Sequence, residues 1–150
     1  LVALTEESFP TVASRATAAI GLSFIEEEDY SRAQEFFESI VNSDGADDRT
    51  EASAFFGLGL CSYRQGLDMT DQDSAGETYF EANLNFLRVV TMYRDNVSLV
   101  PKSMHYSSLC FNRSGGSANR RKAISIAGRL LKRYPTSQWT AKVKRDLNLR

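Results

Sequence analysis

Apolar residues recur every three to four positions through almost the whole of this 150-residue chain, and nowhere do they alternate with polar ones over a strand's length. A period near 3.6 lines such residues along one side of a helix, whereas a half-buried strand needs a period of two. The chain is therefore predicted to be all-α. Ala16, Ala19, Ile20 and Phe24 make one buried stripe on a helix over 12–26. Ala33, Phe36, Phe37, Ile40 and Val41 make the next over 30–41, with Ser31 as its cap, and the turn-forming run 42–48 stops it. A third helix over 50–65 carries Ala54, Phe55, Leu58, Cys61 and Ser62 on one face, and Gly66 is placed to end it. The polar stretch 67–77 reads as a loop, and a fourth helix over 79–93 carries Ala82, Phe86, Val89, Val90 and Tyr93. Pro101 suits the first turn of a fifth helix running to about Asn112. After a loop at 113–117, a sixth helix over 119–134 buries Ala123, Ile126, Ala127, Leu130 and Leu131. Beyond Pro135 a seventh, capped by Thr136 or Ser137, sets Trp139, Val143 and Leu147 on its apolar face.

The composition, 42% hydrophobic and 25% charged, is that of an ordinary globular domain. No apolar run approaches the roughly 18 residues that cross a bilayer. Two cysteines, Cys61 and Cys110, are too few for a disulfide framework or a metal knuckle and read as small buried hydrophobes. The net charge of −1 conceals a division: residues 1–100 hold 18 Asp and Glu against 6 Arg, a balance of −12, and residues 101–150 hold 12 Lys and Arg against Asp146, a balance of +11. Such polarity can steer a partner, favour head-to-tail stacking, or bring the basic third against nucleic acid or an anionic membrane. The chain opens at Leu1 with no basic-then-apolar leader, as expected of a piece of a longer protein.

The motifs that carry chemistry elsewhere are incomplete here. Gly57-x-Gly59 follows no strand, meets Ser62 where a third glycine belongs, and lacks the Lys-Ser/Thr of a phosphate loop. Gly115-Gly116-Ser117 ahead of Arg120 and Arg121 can hold an anion at a helix start, but reads first as a connection. Asp68, Asp71, Asp73 and Glu77 suggest calcium, yet in the helix-loop-helix pattern counted from Asp71 the ligand positions fall on Ala75 and Ala82. His105 is the sole histidine, and no Gly-x-Ser-x-Gly elbow presents a nucleophile. Asn96-Val97-Ser98 and Asn112-Arg113-Ser114 are formal glycosylation acceptors, of consequence only in a protein secreted by a eukaryote. Neither catalysis, metal nor cofactor is expected.

Evenly spaced short helices call for a test of internal repetition. Ile20, Gly21 and Phe24 with Ala33 and Phe37 form one unit; Phe55, Leu58, Gly59, Tyr63 and Gly66 with Ala82 and Phe86 form another. Met104, Ser108, Phe111 and Gly115 with Ala123, Leu130 and Pro135 form a worn third. This pattern resembles the tetratricopeptide repeat, in which a small residue on the first helix and an alanine on the second let the pair approach. The Tyr-Pro-x-Ser ending at Tyr134–Ser137 is similar to divergent repeats of bacterial envelope proteins, of the Tol-Pal accessory and outer-membrane assembly lipoprotein type. The spacing departs from the family: Gly21 to Gly59 is 38 residues and Ala33 to Ala82 is 49, so loops are lengthened.

The resemblance implies a right-handed α-α superhelix of about three helix pairs in a single domain, 1–150. The repeats fall at about 14–47, 50–95 and 101–135, with a capping helix over 136–149. It also implies a non-catalytic protein-binding scaffold of the bacterial periplasm or cell envelope, the cytoplasm being the alternative. Carried over by position, the concave groove comprises Arg15, Ala18, Leu22 and Ile25, then Phe56, Leu60, Tyr63 and Arg64, then Lys102, His105, Leu109 and Arg113. Ala18 and Leu22 stand where a carboxylate clamp needs Lys and Asn, so the expected ligand is an apolar or mildly acidic peptide or helix of a partner protein. Gly57, which the repeat does not require, is expected to mark a shallow spot in that groove. Two alternatives stay open: an anionic-surface binder acting through residues 120–145, and a regulatory or enzymatic domain using the 67–77 loop.

Overall fold

The structure is a computed structural model that describes the backbone of residues 2–150 and the side chains of residues 12 and 14–150. Seven helices and, among the described residues, no strand make it all-α: α1 (Val2–Glu26), α2 (Tyr30–Val41), α3 (Asp48–Asp68), α4 (Gln72–Met92), α5 (Leu99–Arg113), α6 (Ser117–Arg133) and α7 (Gln138–Asp146). Each boundary has a local cause. Asp29, Asp47, Asp71 and Ser137 accept from the backbone N–H of Arg32, Thr50, Ser74 and Trp139, so Asp29 and not Ser31 caps α2. α1 stops where Glu28 turns left-handed at φ 59°, allowing Glu28 N–H to bond Ile25 and Asp29 N–H to bond Phe24. Gly115 and Gly116, at φ 74° and 81°, make the α5–α6 turn.

Three boundaries depart most from expectation: α1 runs from Val2 and not from residue 12, and two more flank the polar stretch 67–77. Gly66 does not end α3, which runs on to Asp68, and α4 opens at Gln72 rather than Tyr79. The 67–77 stretch is thus a tight turn at 69–71 flanked by helix, not a loop. Its polar residues mark the exposed end of α3 and the first turns of α4, which Asp71 caps.

Packing follows chain order. α1 touches α2 and α3; α3 touches α1, α2, α4 and α5; α5 touches α3, α4, α6 and α7; α6 touches α7. The odd-numbered helices form a continuous row, and the even ones lie against their odd neighbours without touching one another. Glycines set the approach. A Cβ at Gly21 or at Gly57 would overlap the same Phe37 ring, which is wholly buried. A Cβ at Gly59 would stand 2.7 Å from Phe86, and one at Gly66 2.7 Å from Tyr79, both closer than packed carbons sit. A glycine on one helix therefore meets a phenylalanine on the next twice, Gly21 of α1 with Phe37 of α2 and Gly59 of α3 with Phe86 of α4. Ala33, Ala82, Ala123 and Leu130 are also fully buried.

Gly57 is not a shallow spot, because the Phe37 ring covers it. The stripe expected on α1 is turned: Ser14, Gly21 and Ile25 are buried, whereas Ala16, Ala19 and Ile20 are exposed. Between α4 and α5, the buried Ser107 hydroxyl donates to Asn83 Oδ1 at 2.5 Å, satisfying both groups. No helix among the described residues is long and apolar enough to cross a membrane.

Candidate functional site

Rings from α3, α4, α5 and α7 form a chain with Tyr106 at its hub. The Tyr106 ring lies 5.3 Å from Tyr63, 5.4 Å from Phe86 in a stacked pair, 5.8 Å from Phe56 and 5.1 Å from His105, centroid to centroid. Trp139 of α7 extends the cluster at 5.3 Å from His105. Phe56, Phe86, Tyr63 and His105 are buried and form its floor, while Tyr106 and Trp139 are half-buried and reach the surface.

Cations ring this cluster. The Lys102 ammonium stands 4.5 Å over Phe56 and 5.4 Å over Trp139, and the Lys142 ammonium 4.2 Å over Trp139. Arg113 lies over Tyr63, and its Nε–H donates to the Tyr63 hydroxyl at 3.1 Å. Burial, and then the neighbouring Lys142, lowers the Lys102 pKa. Burial also raises the Tyr63 and Tyr106 phenols, with Arg113 and Arg64 opposing it. Asp146 is the acid at this edge, accepting from His105 Nε2 at 2.9 Å and from Arg145 at 3.3 Å. Burial favours neutral His105 more than Asp146 favours its cation, so its pKa is lowered, and its Nδ1 is buried without a partner.

The positions carried over from the repeat divide. Arg64 and Arg113 are exposed, and Lys102 and Leu109 half-buried, beside the cluster. Phe56, Leu60, Tyr63 and His105, expected to face a groove, are 4–6% exposed and belong to the interior. The reason is that α3, which carries the first three, and α5, which carries His105, are each enclosed by four helices. Ile25 is core as well, and Ala18 and Leu22 are half-buried. Arg15 is exposed but lines a separate cavity of about 580 Å³ with Ala18, Asp48, Arg49 and Tyr93, near the start of α3. Sixteen residues of α3 separate Asp48 from Arg64, about 24 Å along the axis.

Sequence reasoning missed Tyr106. The surface stripe of α5 is Lys102, Tyr106, Leu109 and Arg113, one position round from the stripe through His105. The 4-3-4 spacing of these residues was visible, but nothing local chooses it over the neighbouring one.

Other candidates lose their chemistry in the fold. Cys61 donates its S–H to the Tyr30 carbonyl at 3.3 Å, and burial pushes its thiol up to about 11; burial raises Cys110 further. Both are protonated packing residues. Arg120 donates to Asn112 Oδ1 at 2.6 Å and to the Leu147 carbonyl at 2.7 Å, tying α5, α6 and α7 together rather than reaching towards an anion at Gly115–Ser117. Among the described residues no group of three His, Cys, Asp or Glu is placed to hold a metal ion. No family model matches this chain, and no curated protein or solved structure matches it.

Proposed function

We propose that the chain is a non-catalytic helical-repeat scaffold, of the kind its tetratricopeptide-like pattern implies, which binds an acidic segment with an apolar anchor across α3, α5 and α7. The Tyr106 cluster is the observation that carries this reading. Half-buried aromatic rings on a rigid floor, rimmed by Lys102, Lys142, Arg64 and Arg113, have the composition of an interface centre. The local excess of cations on a chain of net charge −1 selects for acidic partners. Arg and Tyr here supply contact area at little entropic cost, being held already by Arg113–Tyr63 and by the ring contacts.

The test is fluorescence titration of Trp139 with helical peptides that carry Glu or Asp around a Leu or Phe anchor. Binding should weaken about ten-fold or more in Tyr106→Ala, which costs roughly 1.4 kcal/mol or more at such an anchor. The double reversal Arg64→Glu and Arg113→Glu should do the same. Retention of nucleic acid or anionic vesicles with no response to acidic peptides would favour the anionic-surface reading and remove this one.

A further inference from the structure

The helix row has two ends that no helix of its own covers. Among the described residues α1 touches only α2 and α3, while α6 and α7 touch only α5 and each other, so the first and last elements lie at opposite limits of the array. On the outward side of α1, Val12 is 60% and Ile20 47% exposed, with exposed Ala16 and Ala19 between them. On α6, Ile124 is 42% exposed, and at Gly128, one turn on, no atom beyond the adjoining residues and the helix's own backbone lies within 4 Å of where a Cβ would stand. Each end thus offers an apolar spot, and the surroundings of the two spots are opposite in charge. Residues 12–47 hold eight Asp and Glu against Arg15 and Arg32, with Glu26 and Glu27 on the turns beyond Ile20. Residues 117–150 hold ten Lys and Arg against Asp146, with Arg121, Arg129 and Lys132 around Ile124 and Gly128. Arg145 is paired with Asp146 and Arg120 is tied to Asn112 and Leu147, but among the described residues no ion pair within the chain holds Glu26, Glu27, Arg121, Arg129 or Lys132, which remain available to a partner.

We infer that the outward face of α1 docks on the outward face of α6 in a second copy of this chain, head to tail. The occupant is identified by complementarity in both respects: an apolar spot meets an apolar spot, and an acidic rim meets a basic one. The two faces differ and sit at opposite ends of the molecule, so the contact is heterologous and does not close on itself; each added copy presents a fresh end. Exposed charges supply the rim attraction, and salt screens it.

Sedimentation velocity on the full chain, over a range of protein concentrations, reads this out. The average mass should rise past that of a dimer at low ionic strength and fall at about 1 M NaCl, where the screening length is about 3 Å. Ile20→Glu and Ile124→Glu, both at exposed positions, should each weaken self-association at least ten-fold with helix content unchanged by circular dichroism. An equimolar mixture of the two variants retains one intact pair of faces and should recover dimers and nothing larger. Arg129→Glu should weaken association at low salt only. A wild-type chain that stays monomeric at every concentration overturns the inference. So does a mixture that stays monomeric, or an Ile124→Glu variant that associates like the wild type, which would point to symmetric pairing of α1.

Discussion

Gly57 and Gly128 both sit inside helices, and a helix interior generally favours alanine over glycine by about 1 kcal/mol. Their surroundings reverse the outcome at one of them. Gly128 has open space around it, so Gly128→Ala should raise stability by up to about 1 kcal/mol. At Gly57 the added methyl would run into Phe37, a fully buried ring whose position Gly21 fixes from α1. Gly57→Ala should therefore lower stability by about 1–3 kcal/mol, the usual cost of overpacking. Urea denaturation of the two variants checks the pair, and a gain at Gly57 would mean that the ring has room to move. The sequence showed that Gly57-x-Gly59 is no phosphate loop, because strand, third glycine and lysine are all missing. It did not show why two glycines stand there, since Phe37 and Phe86 come from different helices, twenty or more residues away in the chain.

At the scale of elements, all seven helices were legible from periodicity, and most of their ends from caps and turn residues. α2 occupies 30–41 as expected, and Ser137 caps α7. Polarity misled at 67–77, where an exposed helix start and a loop share the same residue types. The stripe of α1 was misread because Ala16, Ala19 and Ile20 are apolar yet face outward, and small residues give two nearly equal stripes. α7 is seated by its buried Val143 and Leu147, which its apolar stripe announced, and joined to α5 by a contact that no local pattern foretells, His105 with Asp146, 41 residues apart. His105 is 4% exposed, its Nδ1 has no acceptor, and Lys142 and Arg145 add to the disfavour of its cation. A histidine whose pKa is lowered in the fold contributes stability that is fully present above its unfolded value, about 6.5, and lost as pH falls through the folded one. Asp146, where burial is outweighed by bonds from His105 and Arg145, adds a loss at lower pH still. The melting temperature should thus drop between about pH 7 and pH 5, and His105→Gln should flatten that drop. A wild-type curve as flat as the variant's would count against a neutral buried imidazole.

Across the whole molecule, helices touch only their neighbours in the row among the described residues, so stability is expected to behave as a sum of local interfaces. α3 and α5 each meet four helices, and α7, nine residues long, meets two. Native-state hydrogen exchange should accordingly be slowest in α3 and α5 and fastest in α7. Equal protection in all of them would instead mean a single cooperative unit. The charge division, read from the sequence as −12 and +11, becomes two opposite ends only because the helices stack in chain order.

Periodicity, capping residues and turn chemistry determined by themselves that this chain is helical, where its helices lie, and that familiar catalytic motifs are incomplete. Those are properties of short windows, and each window carries its own signal. Tertiary structure alone decided that Phe56, Tyr63 and His105 are floor and not groove, that Tyr106 is the hub, and that Gly57 is closed. Each of these depends on how many neighbours a helix acquires, and that number is set by contacts between residues far apart in the chain.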